Sequence, residues 1–120
     1  MKWAVEFYEE EDGTAPVEQF LLSLAVEQKA KALAIVRLLE ESGPGLPFPY
    51  TSQVRGKIRE LRTQRGKDKI RILYFADNRR WNILLHGLIK RSDKLSEKDI
   101  EIAEQRMKKH NERLGKRQAL

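Results

Sequence analysis

The runs Lys57-Ile58-Arg59-Glu60-Leu61-Arg62, Lys69-Ile70-Arg71-Ile72-Leu73-Tyr74-Phe75 and Trp81-Asn82-Ile83-Leu84-Leu85-His86-Gly87-Leu88-Ile89-Lys90-Arg91 decide the fold. Each is rich in β-branched and aromatic residues. The segments between them, Thr63 to Asp68 and Asp77 to Arg80, carry turn chemistry in Arg65-Gly66-Lys67-Asp68 and Asp77-Asn78. Three consecutive strands in an antiparallel meander are predicted. Side chains alternate across a strand, so Ile58, Glu60 and Arg62 share one face of the first strand while Arg59 and Leu61 share the other. The second strand is apolar on both faces except at Arg71, as a central strand with one functional face would be. A charge there needs a partner or a task.

Upstream of the meander, Trp3 to Tyr8 alternates well enough for a strand, which ends at the acidic turn Glu9-Glu10-Glu11-Asp12-Gly13. Thr14 suits a helix N-cap, and Pro16 is tolerated in a first helical turn because its missing N–H would have no partner there. A short helix to about Leu24 follows. From Ala25 to about Ser42, Val26, Ala30, Leu33, Val36 and Leu39 form an apolar stripe that Gly43 and Pro44 terminate. The two helices are expected to form a hairpin packed on the sheet. Gly45 to Ser52 reads as a connecting loop whose Phe48 and Tyr50 anchor it to the core in preference to stacking on bases.

Downstream, Ser96-Glu97-Lys98-Asp99 is an N-cap signature, with acids in the favourable first turn. Ile100, Ala103 and Met107 line the core face of the helix it opens. Beyond Met107 the chain is strongly basic, and Gly115 is a plausible stop. The whole order, β-α-α-β-β-β-α, predicts an α+β domain over residues 1–110. Its sheet is small and mostly antiparallel, of about four strands, with helices packed on one face, and residues 111–120 form a basic tail or frayed helix.

The chain has 120 residues, enough for one domain with a modest core. It has no cysteine and only His86 and His110, which excludes disulfides and thiolate metal sites and argues against a histidine zinc site. No cofactor is expected. No apolar run reaches membrane-spanning length and the first residues lack a signal-peptide core, so a cytoplasmic protein that does not engage a membrane is expected. The net charge of +6 is unevenly spread: residues 1–50 hold four Lys/Arg against nine Asp/Glu, and residues 51–120 hold twenty against nine. Such asymmetry points to a polyanion bound by the later part of the chain. A solvated basic surface without a ligand is the bland alternative.

Ile58-Arg59-Glu60-Leu61-Arg62, Ile70-Arg71-Ile72-Leu73-Tyr74-Phe75 and Ile83 through Ser92, continued by Asp93-Lys94-Leu95-Ser96, resemble the RelE/HigB superfamily of toxin–antitoxin toxins. Within it they are most similar to the branch related to phage-derived gene products. The resemblance spans about residues 1–110. It implies the small RelE fold, in which the first strand joins the meander and an open concave face holds RNA. It further implies a metal-independent endoribonuclease that cuts messenger RNA on the ribosome by attack of a ribose 2′-hydroxyl, and that is silenced by a cognate antitoxin, often a small helix-turn-helix protein.

On this resemblance Arg71 matches the arginine that holds the scissile phosphate, and Arg91 or neighbouring Lys90 a second cation at the end of the third strand. Arg62 shares a face with Glu60 and is a further phosphate ligand; Lys94 would close the ring. Guanidinium groups suit the task because their fork pairs two phosphate oxygens at once. Lys57, Lys108, Lys109 and Arg113 are candidate RNA contacts. The best-known members carry two lysines on the first meander strand and a C-terminal tyrosine. This chain has Ile58 and Glu60 at the first two and no counterpart of the third. The proton acceptor is therefore open among His86, Glu60 and a lysine whose pKa neighbouring cations depress. A lone histidine in an apolar run is more often a hydrogen-bonded core residue, and Glu60 is better suited to orienting Arg62 or Arg71. A noncatalytic RNA- or DNA-binding module is the alternative, since the same cations bind phosphate without cleaving it.

Overall fold

Gly66 closes the tightest part of the meander. Arg65 pairs with Asp68 across a loop of only Gly66 and Lys67, and Gly66 takes the left-handed φ of +61° such a turn requires at its first position. The flanking strands consequently run further than the hydrophobic pattern indicates. The computed structural model describes residues 2–118. Its elements are β1 (Val5–Phe7), α1 (Pro16–Ser23), α2 (Val26–Ser42), a 3-10 turn at Gly43–Gly45, β2 (Thr51–Arg55), β3 (Ile58–Arg65), β4 (Asp68–Ala76), β5 (Asn82–Lys90) and α3 (Glu97–Gln118). Met1, which falls in the expected domain, and residues 119–120 of the expected tail lie outside the described residues.

The α+β class and the β3-β4-β5 meander are as the sequence predicts, with two corrections. The sheet has five strands, in the order β1-β5-β4-β3-β2, with β1 parallel to β5 and the other pairs antiparallel. The added strand, β2, is Thr-Ser-Gln-Val-Arg, an edge strand too polar to stand out from a loop. The second correction concerns the helices, which cover both faces. Leu61, Ile70, Ile72, Tyr74 and Leu84 pack against Val17, Leu21, Ala32, Ile35 and Leu39 of α1 and α2. On the opposite face Ile58, Leu73, Phe75, Ile83 and Leu85 pack with Tyr8 and with Ala103 and Met107 of α3. An antiparallel sheet apolar on consecutive residues, as in Ile72-Leu73-Tyr74-Phe75 and Ile83-Leu84-Leu85, buries both faces, since one open face would expose a row of large side chains.

One irregularity in β5 and the two helix starts fix where polar side chains emerge. Leu73 pairs with His86 but Tyr74 with Leu84, so Leu85 is an extra residue, a β-bulge. Ile83 and Leu85 face α3, and beyond the bulge His86, Leu88 and Lys90 face that side as well. At the helix starts, Ser96 caps α3 as expected, its Oγ accepting the Asp99 N–H at 3.1 Å. For α1 the cap position is Ala15, with no side-chain cap; the Thr14 N–H instead donates to Asp12 Oδ1 at 2.9 Å. Among the described residues no helix is long and apolar enough to cross a membrane.

Candidate functional site

The face that carries α3 divides into two halves. Ile58, Leu73, Phe75, Ile83 and Leu85 lie under α3, whereas the far ends of the same strands present Glu60 and Arg62 on β3, Lys69 and Arg71 on β4, and Lys90 on β5. Strand register sets them side by side: Arg62 is opposite Arg71, and Lys69 opposite Lys90.

Glu60 is the hub of this cluster. It is 5% exposed, and its Oε1 accepts from Arg62 Nη1 at 2.7 Å and lies 3.4 Å from Arg71 Nε. The longer contact lacks hydrogen-bond geometry, and Arg71 Nε has no hydrogen-bond partner. Arg71, 4% exposed, is held instead through Nη1, which donates to Thr63 O at 2.9 Å and Ile70 O at 3.0 Å. Arg62 Nε donates to Pro49 O at 3.1 Å. Above the cluster, the Asp93 carboxylate pairs with Lys69 Nζ, and Asp93 O accepts from Lys90 Nζ at 2.9 Å.

Four cations therefore share this end of the face with one buried carboxylate, and two of them, Arg71 and Lys90, are shifted in protonation, chiefly by burial. Burial, then repulsion from Arg62, lowers the Arg71 pKa against the pull of Glu60, though a guanidinium remains charged. Burial also lowers Lys90; Glu60 opposes this, while Arg71, Arg62 and Lys69 push the same way. The Lys90 ammonium therefore gives up its proton more readily than that of a free lysine. Such a group can bind an anion when charged and accept a proton when neutral.

The other sequence candidates fall elsewhere. Arg91, 77% exposed at its side chain, is on the α2 side, with Nε donating to Asp68 Oδ1 at 3.0 Å. The bulge at Leu85 explains this: it shifts the alternation of β5 by one, so Lys90 joins the cluster and Arg91 leaves it. His86 Nε2 is 2.7 Å from Asp99 Oδ1, and Arg106 Nη1 donates to Leu85 O at 2.8 Å beside the same ring. Asp99 also accepts from Ser96 Oγ. Burial raises the Asp99 pKa, but the bonds from Ser96 and His86 outweigh it and hold it low. His86 thus fastens α3 to β5, the core role its apolar surroundings suggest.

Lys57 lies in the β2–β3 turn, on the rim of a 400 Å³ pocket lined by Trp3, Leu46 and Tyr74, and away from the cluster. Lys94 is exposed in the loop between β5 and α3, next to Asp93, and Lys108 and Lys109 are exposed on α3. Arg113 is engaged within the molecule: it donates to Glu9 O, and its guanidinium lies 5.4 Å from the Tyr8 ring centroid. Arg106 Nε lies 3.4 Å from Glu10 Oε1. Part of the charge imbalance along the chain is therefore answered internally, by the acidic Glu9–Asp12 turn against α3.

Sequence reasoning missed Lys69, whose membership follows from its pairing with Lys90, and the Asp93 cover over both lysines. Alternation from Arg71 along β4 was enough to find Lys69. Among the described residues no group of three His, Asp or Glu side chains is placed to hold a metal ion.

The class these features define is a small α+β protein with a cation-ringed carboxylate at the uncovered end of one sheet face. The chain belongs to the phage-derived Gp49-like family (DUF891), whose model matches residues 19–108, from α1 through most of α3 and including the whole cluster. No curated protein matches it.

Proposed function

We propose that the chain is the toxin of a toxin–antitoxin pair and acts as a metal-independent, ribosome-dependent endoribonuclease on messenger RNA. One observation carries the reading: Arg62, Arg71, Lys69 and Lys90, from three different strands, converge around Glu60 on one sheet face. Membership of the Gp49-like family and the resemblance to RelE/HigB toxins support it.

In this reaction the 2′-oxygen of a ribose forms a bond to the adjacent phosphorus, and the bond from phosphorus to the 5′-oxygen breaks. The products are a 2′,3′-cyclic phosphate and a 5′-hydroxyl. Arg62, backed by the buried charge of Arg71, holds the phosphate and stabilises the charge that grows on its oxygens, which preorganised donors do best when little water surrounds them. Glu60 keeps the guanidinium planes in place. Lys90, whose pKa burial and then the neighbouring cations lower, takes the 2′-hydroxyl proton, and water protonates the departing oxygen. The partner is a cognate antitoxin, a small helix-turn-helix protein or an acidic one, that neutralises the cationic face. The protein works in the cytoplasm, where its RNA substrate is.

The test is expression with and without Arg62→Ala or Lys90→Ala, followed by purified protein with ribosomes and a defined messenger RNA. Either change should lower cleavage per folded molecule by about 10²-fold or more and relieve growth arrest; Lys90→Ala should keep the melting transition near wild type, while Arg62→Ala lowers it because buried Glu60 loses its hydrogen-bonded partner. Unchanged cleavage in both variants rejects the assignment. The second reading, a noncatalytic phosphate-binding module, is favoured by one observation, the burial of Arg71, 4% exposed, which keeps its guanidinium from touching a reacting phosphate. RNA bound without any cleavage product would select it.

A further inference from the structure

The loop before β2 places two aromatic side chains beside the cluster, and they are not core anchors as the sequence suggests. Phe48 is 70% exposed and Tyr50 45%. The backbone beneath them is firmly held: Tyr50 N–H donates to Pro47 O at 3.0 Å, Arg62 N–H to Tyr50 O at 2.8 Å, and Arg62 Nε to Pro49 O at 3.1 Å. The Arg62 guanidinium carbon lies 5.4 Å from the Phe48 ring centroid. β2 pairs only as far as Leu61 and the backbone bond from Arg62 to Tyr50 is the last on that side, so β3 beyond Arg62 is a sheet edge, and a cleft of about 420 Å³ opens there. Pro49, Tyr50, Arg62, Arg71 and Lys31 of α2 line it, and Phe48 stands just outside, over Arg62.

Solvating two large rings on a rigid loop is unfavourable unless something covers them, and their position next to paired guanidiniums says what that is. We propose that Phe48 and Tyr50 are a stacking platform for an unpaired RNA base, whose phosphate is held by Arg62, backed by Arg71. The inference rests on reading the neighbouring cluster as a phosphate site. A ring stacks on any base and reads no hydrogen-bond pattern, so the platform favours single-stranded RNA without dictating sequence. The cations contribute charge, and the rings require that the nucleotide be unstacked from its neighbours before it enters.

The experiment measures anisotropy of a labelled 2′-O-methyl pentamer of uridines, which cannot undergo 2′-hydroxyl attack, and of the same strand with its central base removed. Wild-type protein should bind the intact strand roughly tenfold more tightly than the abasic one. Phe48→Ala with Tyr50→Ala should lose that advantage while still binding the abasic strand as wild type does, and Tyr50→Trp should keep it. Equal affinity of wild type for both strands, or an undiminished preference in the double variant, overturns the proposal. The ribosomal cleavage assay on Arg62→Ala separates the two ideas. If cleavage survives that change, Arg62 is not part of the cleavage chemistry, while the contrast between intact and abasic strands still decides the platform. If cleavage is lost but the contrast is absent, the platform alone falls.

Discussion

At Glu60 one carboxylate oxygen serves two arginines, and this divides the labour between them. Arg71, buried and tied to two backbone carbonyls, is a fixed support, whereas Arg62, held over Phe48 at the cleft, is in the proposed reaction the cation a phosphate meets first. Removing Arg71 leaves Glu60 partly uncompensated in the interior, so Arg71→Ala costs stability as well as any binding. Lys90 gives the site its pH dependence. Its pKa lies below the usual lysine value because of burial and three neighbouring cations, so the fraction able to accept a proton grows as pH rises through that lowered value. Cleavage at saturating ribosome complex should therefore climb with pH, with a midpoint below that of an ordinary lysine, and Lys90→Gln should flatten the climb. A profile rising only where free lysines titrate would remove Lys90 from the chemistry. Arg71 and the partnership of Glu60 with Arg62 were legible in the sequence because alternation along a strand needs no further information. The choice between Lys90 and Arg91 was not, since a single unpaired residue at Leu85 reverses it and bulges leave no compositional mark.

Among the elements, β5 carries the most constraint. Its Gly87 faces α1 across from Ile72, and a Cβ there would stand 2.3 Å from the Phe20 ring. Gly87→Ala forces the ring or the helix to move and should destabilise by about 1–3 kcal/mol, the usual cost of overpacking. Chemical denaturation measures it, and adding Phe20→Leu to Gly87→Ala should restore part of the loss, because the two sites share one contact. Helix limits were readable from Pro16, Gly43 and Ser96, each a local signal. β2 was not, because only one of its five residues, Val54, is a large apolar side chain, and its identity as a strand comes from pairing with β3. The exposed aromatics escaped for a related reason: composition places Phe48 and Tyr50 in a loop, but only the end of β2 shows that the loop rises beside Arg62.

Over the whole molecule, the cation cluster and the far end of α3 are separate in structure and should be separable in experiment. α3 runs to Gln118, through the residues read as a tail, and buries His110 and Leu114. His110 Nε2 meets Asp77 at 3.0 Å, and Asp77 also takes two bonds from the Arg79 guanidinium, so α3 clamps the β4–β5 turn. Ending the chain after Asn111 removes Leu114 and should cost roughly 1.5–3 kcal/mol, the worth of one buried leucine. It should lower the melting temperature while leaving cleavage per folded molecule intact, and a selective loss of cleavage would place the tail in the RNA site. That α3 covers the second sheet face could not be read from its apolar stripe, which says that a helix packs but not on which side. The parallel pairing of Val5–Phe7 with Asn82–Leu84 has a consequence for synthesis. A nascent chain can form its helical hairpin and the β3–β4 hairpin as they emerge, but its first strand has no neighbour until the ribosome has passed Leu84. Until then the edge of β5 does not exist, and Val5–Phe7 waits, without its sheet neighbour, while every residue between them and Asn82 is made.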